Sequence, residues 1–199
     1  MSDNRREIDY YGEICQKLTK HLSTYLGPEH FFAFSMNGNL PNLVSQIHEK
    51  LDVQPTRTYF PELKVDILLG IKLREAKISF CLIEVKKGNS LKLMDFSQLV
   101  GYMQVAKHIK VGLLLLVNDG SVGTSPLSSD FSTIIDTRNL PADWKTVLRH
   151  TGESFSFRVG ICSYLVNNGI DWISSENCYG ISDWDKLIKS LTTDFDADV

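Results

Sequence analysis

Apolar residues recur at helical spacing at Tyr10, Tyr11, Ile14, Leu18 and Leu22, which predicts an amphipathic helix over residues 5–26 that Gly27-Pro28 brings to an end. From Glu29 to Phe60 the pattern is mixed. A short helix from Leu43 to Leu51 is predicted there, among the breakers Asn37, Gly38, Asn39, Pro41 and Pro55. Two apolar runs rich in β-branched residues follow, Lys64 to Leu73 and Lys77 to Val85, split by the charged pair Arg74-Glu75, and together they predict a β-hairpin. No Gly or Asn marks its turn, so turn chemistry does not set its register. After a break at Lys86 to Ser90, Leu93 to Ile109 reads as a helix, and Val111 to Val117 is a continuous apolar strand of the kind buried on both faces. Strand, strand, helix, strand predicts an α/β core.

Downstream, Ser121 to Ser132 reads as a loop and Pro141 to His150 as a short helix with Pro near its first turn. Phe155 to Val166 and Ile170 to Ser174 flank Asn167-Asn168-Gly169, and Asn-Gly is a strong hairpin signal. Ser182 with Asp185 three residues on resembles a capping box that opens a last helix to Leu191, and the terminal DFDADV is expected to fray. The chain has 199 residues, which favours one domain over 1–199, with a core at about 5–117 and a C-terminal extension at about 118–199.

Hydrophobic residues make up 43% of the chain and charged residues 23%, enough apolar surface for a proper core and far from a disordered composition. The net charge of -3 attracts no polyanion over long range, so a nucleic-acid partner would have to be met by a local basic cleft. The longest apolar run, Val111 to Val117, is well short of the roughly 18 residues of a membrane span, and the start MSDNRREID lacks a signal peptide's apolar segment. A soluble, cytoplasmic chain with no membrane partner is expected. Cys15, Cys81, Cys162 and Cys178 form no CxxC pair, and the histidines form no HxxxH or HExxH, which removes the usual zinc patterns.

The chemistry comes from the hairpin. Successive strand residues point to opposite faces, so Glu84 and Lys86 share one face of an otherwise apolar strand. Asp66 interrupts the apolar run of the preceding strand, and a hairpin centred on Glu75 sets it directly opposite Glu84, with β-carbons about 5 Å apart. Like charges so placed repel unless something positive lies between them, and Mg²⁺ favours carboxylate oxygens together with water and phosphate. An ammonium at Lys86 beside such a cation suits phosphodiester hydrolysis, positioning the attacking water or exchanging a proton with it.

These residues resemble the PD-(D/E)xK nuclease superfamily, whose core runs helix, β-hairpin, helix, strand: Asp66 stands in KVDILL and Glu84-Val85-Lys86 in LIEVKK. Gln98 and Tyr102 in SQLVGYMQ match the QxxxY motif of the RecB-like branch and, four residues apart, lie on one helix face. Val65 precedes Asp66, where the motif's name has Pro. The resemblance implies a restriction-endonuclease-like core, a central mixed β-sheet flanked by helices, to which the C-terminal β-hairpin and helix are additions. It further implies a Mg²⁺- or Mn²⁺-dependent nuclease acting on DNA, with Gln98 and Tyr102 orienting the substrate or the motif residues. Asp66, Glu84 and the Val85 carbonyl are the expected metal ligands and Lys86 the catalytic ammonium. A carboxylate from the first helix can complete the set. Glu7 continues the stripe through Tyr10 and Ile14 and is favoured, while Glu13 lies off that stripe and stays open. A homodimer or a protein partner that supplies the grip on DNA fits a chain this small and acidic. The alternative is a non-catalytic nucleic-acid-binding or protein-interaction subunit on the same fold. Lys87, Lys92, Lys107 and Lys110 are candidates for phosphate contacts or, equally, for a solvated face, while for the base-stacking candidates Phe31, Phe32, Tyr164, Trp172, Tyr179 and Trp184 a core position is favoured.

Overall fold

A computed structural model of the chain describes residues 4–27, 30–55, 57–73, 77–118, 125–136, 158–166, 168–173 and 180–193. A 3₁₀ turn, Glu7–Tyr10, leads into α1, Tyr11–Tyr25; then come β1, Phe31–Asn39, α2, Leu40–Lys50, β2, Lys64–Lys72, and β3, Ile78–Lys87. The chain continues through α3, Leu93–Val105, β4, Val111–Asn118, α4, Ser129–Asp136, β5, Arg158–Leu165, β6, Gly169–Trp172, β7, Gly180–Ile181, and α5, Trp184–Thr192. The strands form one mixed sheet in the order β1-β2-β3-β4-β5-β6, with β7 also on β5. The α/β class is therefore as the pattern predicts, and the sheet is mixed and flanked by helices. Among the described residues no helix is long and apolar enough to cross a membrane.

Side-chain alternation sorts the sheet into two cores. Ile67, Leu69, Cys81, Ile83, Val85, Leu113, Leu115 and Cys162 pack with the apolar stripes of α1 and α5, whereas Leu68, Phe80, Leu82, Leu114, Leu116 and Ile161 pack with α2 and α3. Close approach is needed under both helices of the second layer. A β-carbon on Gly70 would fall 2.3 Å from Ile47 Cγ2, and one on Gly112 would fall 2.6 Å from Met103 Sδ.

β2 and β3 pair antiparallel from Ile67 opposite Ile83 to Lys72 opposite Ile78, the register expected of a hairpin centred on Glu75. Leu73 N–H donates to the Lys77 carbonyl at 2.8 Å to close it; residues 74–76 lie outside the described residues. β3 then runs parallel to β4, Cys81 opposite Val111 through Lys87 opposite Val117, and this pairing carries the strand two residues beyond Val85. β5 pairs parallel with the full length of β4, so the C-terminal strands continue the same sheet.

The mixed stretch 29–60 differs from expectation. It contains β1, whose half-exposed residues show no clean alternation, and the breakers Asn37 and Gly38 lie inside that strand, Asn37 at φ 53° in the left-handed region that Asn tolerates. Pro41 opens α2 rather than interrupting it, because the first helical turn needs no N–H there. α3 stops at Val105, four residues short, as Ala106 leaves the helical region at ψ 66° and turns the chain into β4. α4 begins within the predicted loop and buries Phe131 against Phe96, ring centroids 5.5 Å apart. Asp183, not Ser182, caps α5, its carboxylate accepting from Lys186 N–H at 2.8 Å. The predicted helix Pro141 to His150, Tyr179, Cys178 and the terminal tail fall outside the described residues.

Candidate active site

The ladder between β2 and β3 ends at Ile67 and Ile83, one position before Asp66 and Glu84. Strict alternation from Ile67 would turn Val65 toward α1, yet Val65 packs with the α2 and α3 layer, so β2 changes course at Asp66. The pairing of β1 with β2 likewise skips Asn37 and Asp66. As β2 leaves, the backbone of β3 facing it loses its partner, and buried N–H groups must find another. Two carboxylates take that place. Asp66 Oδ2 accepts from Val85 N–H at 2.9 Å, and Glu7 Oε2 accepts from Lys87 N–H at 3.2 Å. In an antiparallel pair the N–H and C=O of one residue face the same neighbour, so the Val85 carbonyl looks into the same gap.

Glu7 is held there by the N-terminal segment. Lys87 Nζ donates to the Arg5 carbonyl, and the Arg5 guanidinium lies 4.2 Å from the centre of the Tyr10 ring and pairs with Glu13. Glu13 also accepts from the Tyr164 hydroxyl at 2.9 Å and thus serves a contact between α1 and β5. Of the two helix acids weighed from the sequence, the structure brings Glu7 to Asp66.

On the α3 side, Glu84 is 3% exposed and its Oε1 accepts from Lys86 Nζ and from Gln98 Nε2, each at 2.7 Å. Gln98 Oε1 accepts from Lys86 Nζ at 3.2 Å, and Gln98 Nε2 also donates to the Tyr102 hydroxyl oxygen at 3.0 Å. The Gln98 amide therefore spans a directly bonded acid and ammonium, its N–H on the first and its carbonyl on the second, and Tyr102 braces it one helical turn away. Lys86 pairs with Glu84, not with Asp66.

Burial and then the charge of Asp66 push the Glu84 carboxyl up to about 7. Glu7 is raised by the same two causes in the same order. Burial works against the Lys86 charge, but its hydrogen bond and attraction to Glu84, with Glu7 and Asp66 beyond, leave it above the ordinary lysine value, an ammonium at neutral pH.

One participant was not foreseen. Tyr11, read from the sequence only as part of the α1 stripe, donates its hydroxyl to Asp66 Oδ1 at 2.6 Å and lies 3.3 Å from Glu7 Oε1. Burial and the two acids raise its pKa, so it stays a proton donor. The available signal was its place one helical turn after Glu7. Among the candidate base-stacking aromatics, Tyr164 and Trp184 are core residues and Phe31 is exposed.

Among the described residues no three His, Cys, Asp or Glu side chains are gathered closely enough to hold a metal by themselves. Mg²⁺ does not require that: one or two carboxylates with water and phosphate suffice. The donors here are hard oxygens: Asp66, whose two hydrogen bonds leave acceptor sites over, Glu84, whose Oε2 takes no hydrogen bond among the described residues, and the Val85 carbonyl. That set fits Mg²⁺ or Mn²⁺. Comparison with protein-family models, curated proteins and solved structures found no match to this chain.

Proposed function

We propose that this chain is a Mg²⁺- or Mn²⁺-dependent nuclease with a restriction-endonuclease-like core of the PD-(D/E)xK type, hydrolysing phosphodiester bonds of DNA. The observation that carries this reading is the hydrogen-bonded set Glu84, Lys86, Gln98 and Tyr102, from β3 and α3, beside Asp66 of β2, which sits on the N–H of the intervening Val85 where β2 parts from β3. In this reading Asp66, Glu84 and the Val85 carbonyl hold the cation, which when bound supplies Lewis-acid polarisation of the phosphate and a more acidic water. Lys86 is already protonated and acts as a hydrogen-bond donor and positive charge toward the phosphate or the water rather than as a base. Gln98, bonded to both Glu84 and Lys86, keeps that ion pair aimed, and Tyr102 fixes the Gln98 amide. Glu7 holds the open edge of β3 in place through Lys87 N–H.

The test is cleavage of circular and linear DNA with Mg²⁺, Mn²⁺ or EDTA, alongside calorimetric metal titration. Cleavage should require the divalent ion. Lys86→Ala should still bind metal while cleavage slows by roughly 10²–10⁴-fold, the contribution of a proton-transferring or charge-stabilising group. Wild-type protein that binds DNA or a protein partner but neither binds the ions nor cuts supports the non-catalytic subunit instead.

A further inference from the structure

We propose that the Tyr11 hydroxyl is a positioning group for the carboxylate cluster, orienting Asp66 for the cation and keeping it apart from Glu7; this rests on the nuclease reading above. The Tyr11 ring belongs to the buried stripe of α1, which any large apolar side chain would serve. Its hydroxyl has a separate geometry. It donates to Asp66 Oδ1 at 2.6 Å while Val85 N–H donates to Oδ2 at 2.9 Å, so each carboxylate oxygen receives one donor, one from α1 and one from β3. A carboxylate offers about four acceptor sites, and two donors, one on each oxygen, settle the plane of the group and which sites remain for a ligand.

The same hydroxyl lies 3.3 Å from Glu7 Oε1, with Glu7 Oε2 on Lys87 N–H at 3.2 Å. The two acids thus accept from the N–H groups of β3 at residues 85 and 87, beyond the end of its ladder with β2, and Tyr11 stands between them as a neutral donor. Partners that orient a metal-ligating carboxylate change metal affinity or activity by roughly 10–100-fold when removed. Phenylalanine would keep the ring and its packing and remove this donor alone.

The experiment titrates Mg²⁺ and Mn²⁺ into wild type, Tyr11→Phe and Tyr164→Phe, and measures DNA cleavage against metal concentration and melting in EDTA for all three. Tyr164→Phe is the control, because it deletes a tyrosine hydroxyl bonded at 2.9 Å to Glu13, away from Asp66. Tyr11→Phe should bind the ions roughly 10–100-fold more weakly and need correspondingly more metal for half-maximal cleavage, with the KM for DNA at saturating metal unchanged. Tyr164→Phe should shift melting without shifting metal affinity. Unchanged metal affinity in Tyr11→Phe, or an equal loss in both variants, overturns the role of Tyr11 and leaves the nuclease reading standing. A wild type that binds neither ion overturns both.

Discussion

At the scale of single residues, the site keeps two acids, Glu84 and Glu7, in an environment that disfavours their charge. Glu84 is the extreme case, with its carboxyl pushed up to about 7 by burial and by Asp66. Between its ordinary value of 4.5 and about 7, the metal-free folded protein retains a proton that the unfolded chain has released, so folding stability falls as pH rises through that window. Glu84→Gln should remove this dependence while keeping an acceptor for Lys86. Urea unfolding in EDTA at pH 5 and pH 8 should then show a smaller loss of stability on going to pH 8 in the variant than in wild type. An identical loss in both would mean that Glu84 is charged throughout. The same substitution should abolish divalent-ion binding, because an amide is a poor replacement for a carboxylate ligand.

At the scale of elements, the decisive event is the parting of β2 from β3 at Asp66. Beyond that point the edge of β3 is held by side chains, Asp66 and Glu7, instead of by a neighbouring strand. α3 closes the other side by seating Gln98 against both Glu84 and Lys86, and the helix is pressed onto β4 where Gly112 gives it room. Tyr102 touches the charged pair only through Gln98, so its loss should be moderate. Tyr102→Phe should slow cleavage about five- to ten-fold, the worth of one net hydrogen bond, with metal affinity unchanged. A larger loss, with weaker metal binding, would give Tyr102 a direct part in the site; no loss would detach α3 from it.

At the scale of the whole molecule, the residues after β4 are part of the structure that supports the site. β5 covers the entire outer edge of β4, and α5 packs beside α1 in the same core, with the Trp184 ring stacked on His21 at 4.3 Å between centroids. α1 carries Tyr11 and follows directly on Glu7, so the C-terminal helix buttresses the segment that delivers two of the cluster's residues. A chain ended at Asn118 should therefore lose cooperative melting and expose apolar surface to dye, even though it retains every motif residue. A sharp thermal transition in that fragment would show the first 118 residues to be a self-sufficient unit.

Much of this was readable from the chain alone, for a physical reason: it depends on local periodicity. The α1 stripe, the hairpin, the buried run of β4 and the capacity of Glu84, Lys86, Gln98 and Tyr102 to share two adjoining faces all follow from spacings of two, three and four residues. A hairpin centred on Glu75 also gives the observed pairing of Ile67 with Ile83, but not the end of the ladder there, which seats Asp66 on the Val85 N–H instead of pairing it with Glu84. β1 was not readable, because an edge strand is half exposed and its FFAFSMNGN has neither alternation nor clean ends. Nor was the choice of Glu7 over Glu13, or the role of Tyr11. Those depend on where the first helix lies across the sheet and on which unpaired N–H groups of β3 need acceptors once β2 has turned away, and only the assembled tertiary structure determines that.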